Sequence, residues 1–276
     1  MKRILTIQDI SCVGKCSLTV ALPIISAFGV ETAVLPTAVL SNHTAFKGWT
    51  FRDLTDDMRG ISQKWKDENI TFDAVYTGYL GSKEQINIVK EIIDDFKTDS
   101  SFALIDPAMA DHGKLYAGFD LDFVKEMATL CAKADVIVPN LTEATFMLNL
   151  PYVEDYDEEY IKDLLKKLTN LGAKTAVLTG VTFDKKTLGA YGYNSVTDTF
   201  FSYFRELLPV SFHGTGDIFA SALLGAISIG KDQTEAISVA VDYTVECIIK
   251  TMQNENHNWY GVDFETAIPY LCERIK

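Results

Sequence analysis

The stretch HGTGDIFASALLGA, which runs from residue 213 to residue 226, places a carboxylate directly behind Gly-Thr-Gly. The apolar run that follows predicts a buried or half-buried helix with Asp217 in its first turn. Gly214 and Gly216 allow the backbone to turn tightly and to approach a ligand closely. Because the first amides of a helix lack internal partners and its dipole favours negative charge, this turn could hold an anion while Asp217 removes a proton. The alternative is an ordinary helix start, at which Thr and Asp are both common.

Three acidic residues, Asp106, Asp111 and Glu143, form a second candidate group. Magnesium prefers oxygen ligands and takes one or two carboxylates together with water and substrate phosphates. Acidic loops beside an anion-binding helix start would therefore suit a magnesium–nucleotide complex. Each acid has an alternative role as a solvated loop charge or a helix cap, and Glu143 could cap a helix that starts near Thr142.

The sequence patterns argue against three other kinds of site. The segment VGKCS resembles part of a P-loop, but position 9 is Asp and position 16 is Cys where that motif requires Gly and Ser or Thr. No G-x-G-x-x-G follows the first strand, which disfavours a dinucleotide-binding fold. Cys12 and Cys16 have no second Cys or His pair nearby, so the pattern does not predict a zinc site.

The elements that must position these residues alternate along the chain. Strands are predicted at 3–8, 32–40, 74–77, 102–105, 136–138, 175–178, 188–193 and 199–204, and helices at 17–28, 55–68, 83–96, 121–132, 142–148, 157–171, 217–229, 234–252 and 264–275. This alternation predicts an α/β fold with a mostly parallel sheet and helices on both faces. The last two strands read as an antiparallel pair. With no linker or repeat, the simplest interpretation is one domain over 1–276.

Ligands of such sheets bind beyond the carboxyl ends of the strands. Polar residues and glycines follow six predicted strands at those points: Asp9, SNHT at 41–44, TGYLGS at 77–82, DPAMAD at 106–111, PNLTE at 139–143, and Thr179 with Gly180. Each loop alone is weak evidence, but all six together indicate a ligand site along this edge. The three tryptophans, Trp49, Trp65 and Trp259, are expected to be packing residues.

Composition limits the partners and the compartment. The 276 residues have 47% hydrophobic content and a formal net charge of −13, which argues against nucleic-acid and anionic-membrane binding. A polyanionic substrate would need local help from a metal or from backbone amides. The apolar start is too short for a signal peptide, and the five cysteines are odd in number and irregularly spaced. These features predict a cytoplasmic protein with no membrane span.

The motifs SNHT, TGYLGS, DPAMAD, PNLTE and GTGD occur in the order and near the spacing of the pyridoxal kinase group of the ribokinase-like superfamily. The resemblance covers nearly the whole chain. It implies a three-layer α/β/α sandwich that uses magnesium and ATP to phosphorylate the 5′-hydroxymethyl group of pyridoxal, pyridoxine or pyridoxamine. It also implies a homodimer, and it leaves open a requirement for a monovalent cation.

The resemblance assigns roles to individual residues. Asp217 matches the catalytic base, and the amides of Gly214, Thr215 and Gly216 match the anion hole. Residues that match the substrate side are Asp9, His43, Thr44, Tyr79, His213 and Asp217, and those that match the nucleotide side are Asp106, Val138, Asn140, Glu143, Thr179, Gly180, Leu208 and Val210. Asp106, Asp111 and Glu143 match positions near the metal.

Two positions depart from this pattern. Asp9 stands where many members of the group have Ser, and His213 stands where an apolar residue often precedes the GTGD motif. An Asp would pair better with a protonated ring nitrogen than a Ser hydroxyl would. The departures leave open a hydroxymethylpyrimidine kinase of the same fold. A separate alternative is a ligand-binding or regulatory protein on this scaffold without turnover, against which the intact Asp217 and the two glycines of the motif argue.

Overall fold

A computed structural model describes all residues from 1 to 276. The chain divides into two compact units, one formed by residues 1–74 and 208–276 and the other by residues 75–207. The strands are β1 (Arg3–Ser11), β2 (Glu31–Leu40), β3 (Phe51–Asp53), β4 (Ala74–Thr77), β5 (Phe102–Ile105), β6 (Ala110–Asp111), β7 (Lys114–Leu115), β8 (Val136–Ile137), β9 (Thr175–Val181), β10 (Thr187–Asn194) and β11 (Thr199–Glu206). The helices are α1 (Leu18–Ala27), α2 (Thr55–Asp67), α3 (Lys83–Phe96), α4 (Leu121–Cys131), α5 (Leu141–Met147), α6 (Glu158–Thr169), α7 (Thr215–Ser228), α8 (Gln233–Gln253) and α9 (Phe264–Arg274).

In the first unit, β1 pairs in parallel with β2, and β3 adds to β2 in the antiparallel direction. The register of β1 against β2 shifts between Gln8 and Ile10, so the irregularity falls at Asp9. Nearly every residue of β1 is buried, as expected for a parallel strand covered on both faces. Helix α7 is buried from Ile218 to Ala226 and packs against α1 and α8. Helix α7 is therefore anchored in the core of this unit.

The second unit has the strand order β4-β5-β8-β9-β10-β11. Strands β5, β8 and β9 are parallel, whereas β10 and β11 join β9 in the antiparallel direction. Helix α3 buries Ile86, Val89, Ile93 and Phe96, the positions whose spacing marks one helical face. The carboxyl ends of β5 and β8 lead into loops that carry Asp106 and Asn140.

The α/β class, the three-layer sandwich and the mostly parallel sheet are as predicted. Strand β3 and the β6–β7 hairpin were not predicted from the sequence, because strands of two or three mainly exposed residues carry no readable periodicity. Trp259 is 60% exposed and Trp49 is 38% exposed, and each packs against the ring of a neighbouring phenylalanine. No helix is long and apolar enough to cross a bilayer.

Candidate active site

The turn before α7 has the geometry that the Gly-Thr-Gly-Asp sequence predicts. Gly214 is the N-cap of the helix with φ 83°, in the left-handed region, and it supplies no side-chain cap. A Cβ on Gly214 would lie 2.2 Å from the carbonyl oxygen of Lys15, so only glycine fits this position. A Cβ on Gly216 would meet nothing within 4 Å. Steric need is therefore confined to the first glycine, and the helix begins without a side chain over its amides.

Asp217 is the third residue of α7 and is half-buried. Its Oδ2 accepts a hydrogen bond from the backbone N–H of Ser17 at 2.9 Å. Burial raises the pKa of Asp217 to about 6, the charge of Asp9 adds to the rise, and the Ser17 amide opposes it. A carboxylate with such a pKa is ionised at neutral pH and still accepts a proton readily, as a general base must.

Asp9 lies at the end of β1 and is only 3% exposed. The hydroxyl of Ser11 donates to Asp9 Oδ2 at 3.0 Å. Burial raises the pKa of Asp9, while hydrogen bonds from Ser17 and Ser11 lower it. Burial and the charges of Asp217 and Asp9 raise the pKa of the Cys16 thiol to about 12, so this thiol stays protonated. Ser17 thus connects two acidic side chains that the sequence analysis assigned to one site.

His43 is buried and bonded to the backbone through both ring nitrogens. Its Nδ1 accepts from the amide of Ala45 at 3.1 Å, so the ring proton must sit on Nε2, which donates to the carbonyl of Tyr260 at 3.0 Å. Burial lowers the pKa of His43, and this keeps the ring neutral. Both ring nitrogens of His43 are therefore already engaged by the protein backbone.

An aromatic group surrounds His43. Its ring centroid lies 5.0 Å from that of Phe46, 5.5 Å from that of His213 and 6.0 Å from that of Trp259. His213 and Trp259 are exposed, and Thr44 is exposed beside them. The motifs named His43, Thr44 and His213 as candidate substrate-side residues. They did not name Trp259, because nothing in its local sequence separates it from a packing residue.

In the second unit, Asn140 and Glu143 form a capping box at the start of α5. Glu143 Oε2 accepts from the amide of Asn140 at 2.9 Å, and Oε1 accepts from the amide of Met109 at 3.0 Å and that of Ala110 at 3.5 Å. Burial raises the pKa of Glu143, and these amides oppose the rise. Glu143 therefore has the capping role that was its alternative, and it also holds the loop after β5.

The other acids of this loop differ in exposure. Asp106 is buried, whereas Asp111 is exposed and accepts the amide of His112 at 2.8 Å. No group of three or more His, Cys, Asp or Glu side chains is arranged to hold a metal ion. A magnesium ion that takes most of its ligands from phosphates and water still fits these residues, because it needs only one or two carboxylates from the protein.

The remaining predicted residues lie at strand ends. Asn140 forms a bridge with Thr179, and its Nδ2 donates to the carbonyl of Ala110 at 2.8 Å. Gly180 has φ 70°, and Val138 is buried. The ring of Tyr79, in the second unit, lies 5.5 Å from that of Phe119. In the first unit, Leu208 is half-buried and Val210 is 39% exposed.

A family model described as phosphomethylpyrimidine kinase matches residues 25–261. The chain belongs to this family. A pyridoxal kinase of Dictyostelium discoideum is 27% identical to it over 270 residues, which are 93% of this chain and 87% of that one. The pyridoxal kinase resemblance within the ribokinase-like superfamily, drawn from the sequence motifs, is thereby confirmed.

Comparison with solved structures supports the same assignment. A candidate phosphomethylpyrimidine kinase of Bacteroides thetaiotaomicron, crystallised with pyridoxal, superposes with a TM-score of 0.93 at 39% identity and covers 98% of this chain and 95% of its own. A pyridoxal kinase of Lactobacillus plantarum superposes with a TM-score of 0.91 at 28% identity, covering 99% of this chain and 97% of its own. The protein is therefore a kinase with the ribokinase-like fold.

Proposed function

We propose that this kinase transfers the γ-phosphoryl group of ATP to the 5′-hydroxymethyl group of pyridoxal, pyridoxine or pyridoxamine. The observation that carries the proposal is Asp217, a half-buried carboxylate whose pKa is raised to about 6, placed behind a glycine turn at the start of α7. A carboxylate beside free helix amides can take a proton at the point where the amides hold a phosphoryl group.

In the proposed reaction, the substrate hydroxyl oxygen attacks the γ-phosphorus as its proton passes to Asp217. The bond between that phosphorus and the bridging oxygen of ADP breaks, and ADP leaves with the electron pair. The first amides of α7, from Gly214 to Asp217, receive the negative charge on the transferred group. A general base of this kind typically contributes on the order of 10²–10⁴-fold to the rate.

The vitamer is proposed from the relatives. The Bacteroides thetaiotaomicron protein that is 39% identical was crystallised with pyridoxal, and the Dictyostelium discoideum relative is a pyridoxal kinase. On the substrate side we propose Asp9, the ring face of His43, and the exposed Thr44 and His213. Tyr79 completes the set that the motifs assign. Asp9 is the residue best suited to discriminate between substrate rings, because its side chain is buried and acidic.

On the nucleotide side we propose Asn140, Thr179 and Gly180 with Val138, Leu208 and Val210. Asp106 and Asp111 are the carboxylates proposed for magnesium, and we propose that Glu143 acts mainly by holding their loop through its bonds to Met109 and Ala110. Magnesium, when bound, would neutralise phosphate charge. A monovalent cation remains part of the proposal without a residue assigned to it.

Three further proposals concern the whole chain. The family match runs from residue 25 to residue 261 and so enters both compact units, which supports a single kinase domain over 1–276. The five cysteines are free, which suits a reducing cytoplasm. The homodimer implied by the resemblance can be checked by sedimentation of the purified protein.

The test is ADP release by the purified protein with magnesium and ATP. Pyridoxal, pyridoxine, pyridoxamine and hydroxymethylpyrimidine are supplied in parallel, with a blank that lacks any alcohol. We expect ADP release that depends on an added B6 vitamer. Chromatography should show a phosphorylated vitamer in an amount equal to the ADP released. No alcohol-dependent ADP would favour the binding protein without turnover.

The second candidate is phosphorylation of a hydroxymethylpyrimidine. The family description, phosphomethylpyrimidine kinase, is the observation that favours it. The same assay separates the two, since a kcat/KM for hydroxymethylpyrimidine above that of every B6 vitamer would replace the first proposal with the second.

A further inference from the structure

We infer that Lys15 and Asp263 are positioning residues for the catalytic carboxylate: their ion pair holds the β1–α1 loop so that the Ser17 amide donates to Asp217. This inference rests on the proposed role of Asp217 as the base. It concerns residues of the first unit alone, and neither Lys15 nor Asp263 belongs to the site that the motifs define.

The ion pair is short and shielded. Lys15 Nζ lies 2.6 Å from Asp263 Oδ1 and 3.1 Å from Glu265 Oε2. The side chain of Lys15 is 16% exposed and that of Asp263 is 12% exposed, whereas that of Glu265 is 53% exposed. An ion pair that is largely removed from water is screened less than a surface pair, so the Asp263 contact is the stronger constraint.

Asp263 is itself fixed on its far side. Its Oδ2 accepts from Asn254 Nδ2 at 2.7 Å, and its backbone N–H donates to Thr251 Oγ1 at 2.7 Å. Thr251 is completely buried at the end of α8. The position of the Asp263 carboxylate is thus set independently of Lys15, so the carboxylate can fix the position of the lysine ammonium group.

The lysine is joined to the catalytic turn through its backbone. Lys15 has φ 50°, a left-handed conformation that a non-glycine residue adopts only when its surroundings hold it there. Its carbonyl oxygen lies against Gly214, where a Cβ would approach to 2.2 Å. Two residues later, the amide of Ser17 donates to Asp217. A displacement at Lys15 would therefore move both the N-cap of α7 and the donor to its carboxylate.

The segment from Asn254 to Asp263, here called the C-terminal segment, contacts this loop at a second point. A Cβ on Gly261 would lie 2.7 Å from Lys15 Cβ and 3.2 Å from the carbonyl oxygen of Gly14. The carbonyl oxygen of Tyr260 also accepts a hydrogen bond from Nε2 of His43. The C-terminal segment therefore supports two parts of the site, and the Lys15–Asp263 pair is its charged link to the catalytic turn.

Loss of this link has a specific electrostatic consequence. A backbone N–H that donates to a carboxylate favours its ionised form, so a weakened Ser17 bond raises the pKa of Asp217. The charge of Asp9 also raises the pKa of Asp217, and Asp217 in turn raises the pKa of the neighbouring Cys16 thiol; the substitutions below leave Asp9 and Cys16 in place. Since the base must be ionised, a higher pKa moves the acid limb of kcat/KM to higher pH.

The experiment measures kcat/KM for the vitamer from pH 5 to pH 9 in the wild type, Lys15→Met, Lys15→Arg and Asp263→Asn. Lys231→Met is the matched control, because Lys231 also pairs with a carboxylate in this unit and its side chain is 22% exposed. We expect Lys15→Met and Asp263→Asn to raise the midpoint of the acid limb by about one pH unit, the size expected for most of one charge-assisted hydrogen bond. With a wild-type pKa of about 6, the rate would fall about twofold at pH 7 and little at pH 9.

Lys15→Arg should restore the wild-type profile, and Lys231→Met should leave it unchanged. An unchanged acid limb in Lys15→Met overturns the inference, whether or not the melting temperature falls. A raised KM for ATP with an unchanged acid limb would also overturn it and assign Lys15 to the nucleotide. If Lys15→Met does not fold, Asp263→Asn is judged by the same outcomes. Failure of the proposed function appears separately, as a wild type without alcohol-dependent ADP release.

Discussion

Asp217 and Glu143 occupy the same position of two helices, since each is the third residue after an N-cap. In α5 the cap is Asn140, and Glu143 closes a capping box with it. In α7 the cap is Gly214, which has no side chain to bond the helix amides. Glu143 accepts three backbone N–H groups, whereas Asp217 accepts the one from Ser17. The residue at the N-cap therefore separates a carboxylate that holds structure from one that is available for chemistry.

Burial raises the pKa of both side chains, so the pKa direction alone does not distinguish them. The hydrogen bonds do. A carboxylate whose two oxygens are both taken by amides cannot approach a substrate hydroxyl without breaking them. The comparison predicts that substitution of Asp217 affects catalysis and that substitution of Glu143 affects stability.

The largest expected effect is that of Asp217→Asn. Asn is nearly isosteric and still suits a helix start, but it cannot act as a base. We expect kcat to fall by at least about 10²-fold, with an unchanged melting transition and unchanged ATP binding. Steady-state kinetics, thermal unfolding and calorimetric titration of ATP measure these three quantities. Retention of more than about a tenth of the wild-type kcat would contradict a base of this strength.

Glu143→Gln tests the other side of the comparison. Gln keeps one acceptor oxygen, so at least one of the buried amides that Glu143 now binds loses its partner. An unsatisfied buried donor costs about 1–3 kcal/mol, and we expect the free energy of unfolding in urea to fall by that amount. Glu154→Gln, at an exposed position of the same unit, is the control. Unchanged stability together with a several-fold higher magnesium requirement would instead make Glu143 a metal ligand.

The sequence was sufficient for the fold and for the Asp217 turn. Alternating periodicity predicted the helices and main strands, and the positions of Asp217 and Glu143 near helix starts were correct. What it could not show depends on contacts between distant residues. The Lys15–Asp263 pair joins residues 248 positions apart, and the exposure of Trp259 depends on how the C-terminal segment packs. The role of Glu143 needed the amides of Met109 and Ala110, which lie more than thirty positions away.

Asp9→Ser sharpens the comparison within the first unit, because Asp9 is the second carboxylate near Ser17. If Asp9 pairs with a protonated ring nitrogen, its loss should raise the substrate KM about tenfold and leave the KM for ATP unchanged. The charge of Asp9 raises the pKa of Asp217, so the acid limb should also move to lower pH. A lower melting temperature with both KM values unchanged would mean that Asp9 only caps the loop.

The smallest expected effect is that of Asp106→Asn on the magnesium requirement. Asp106 is buried at the end of β5, and no third acidic ligand accompanies it, so most ligands of a magnesium ion would come from phosphates and water. The loss of one carboxylate should therefore weaken magnesium binding rather than abolish it. We expect the magnesium concentration for half-maximal rate to rise several-fold at saturating ATP, with a kcat near wild type once magnesium is in excess. Asp111→Asn provides the comparison, since Asp111 is exposed and should shift the titration less. If neither variant changes the titration, neither carboxylate is a magnesium ligand. The comparison of the two units would then rest on Asp217 as the base and Glu143 as the capping residue alone.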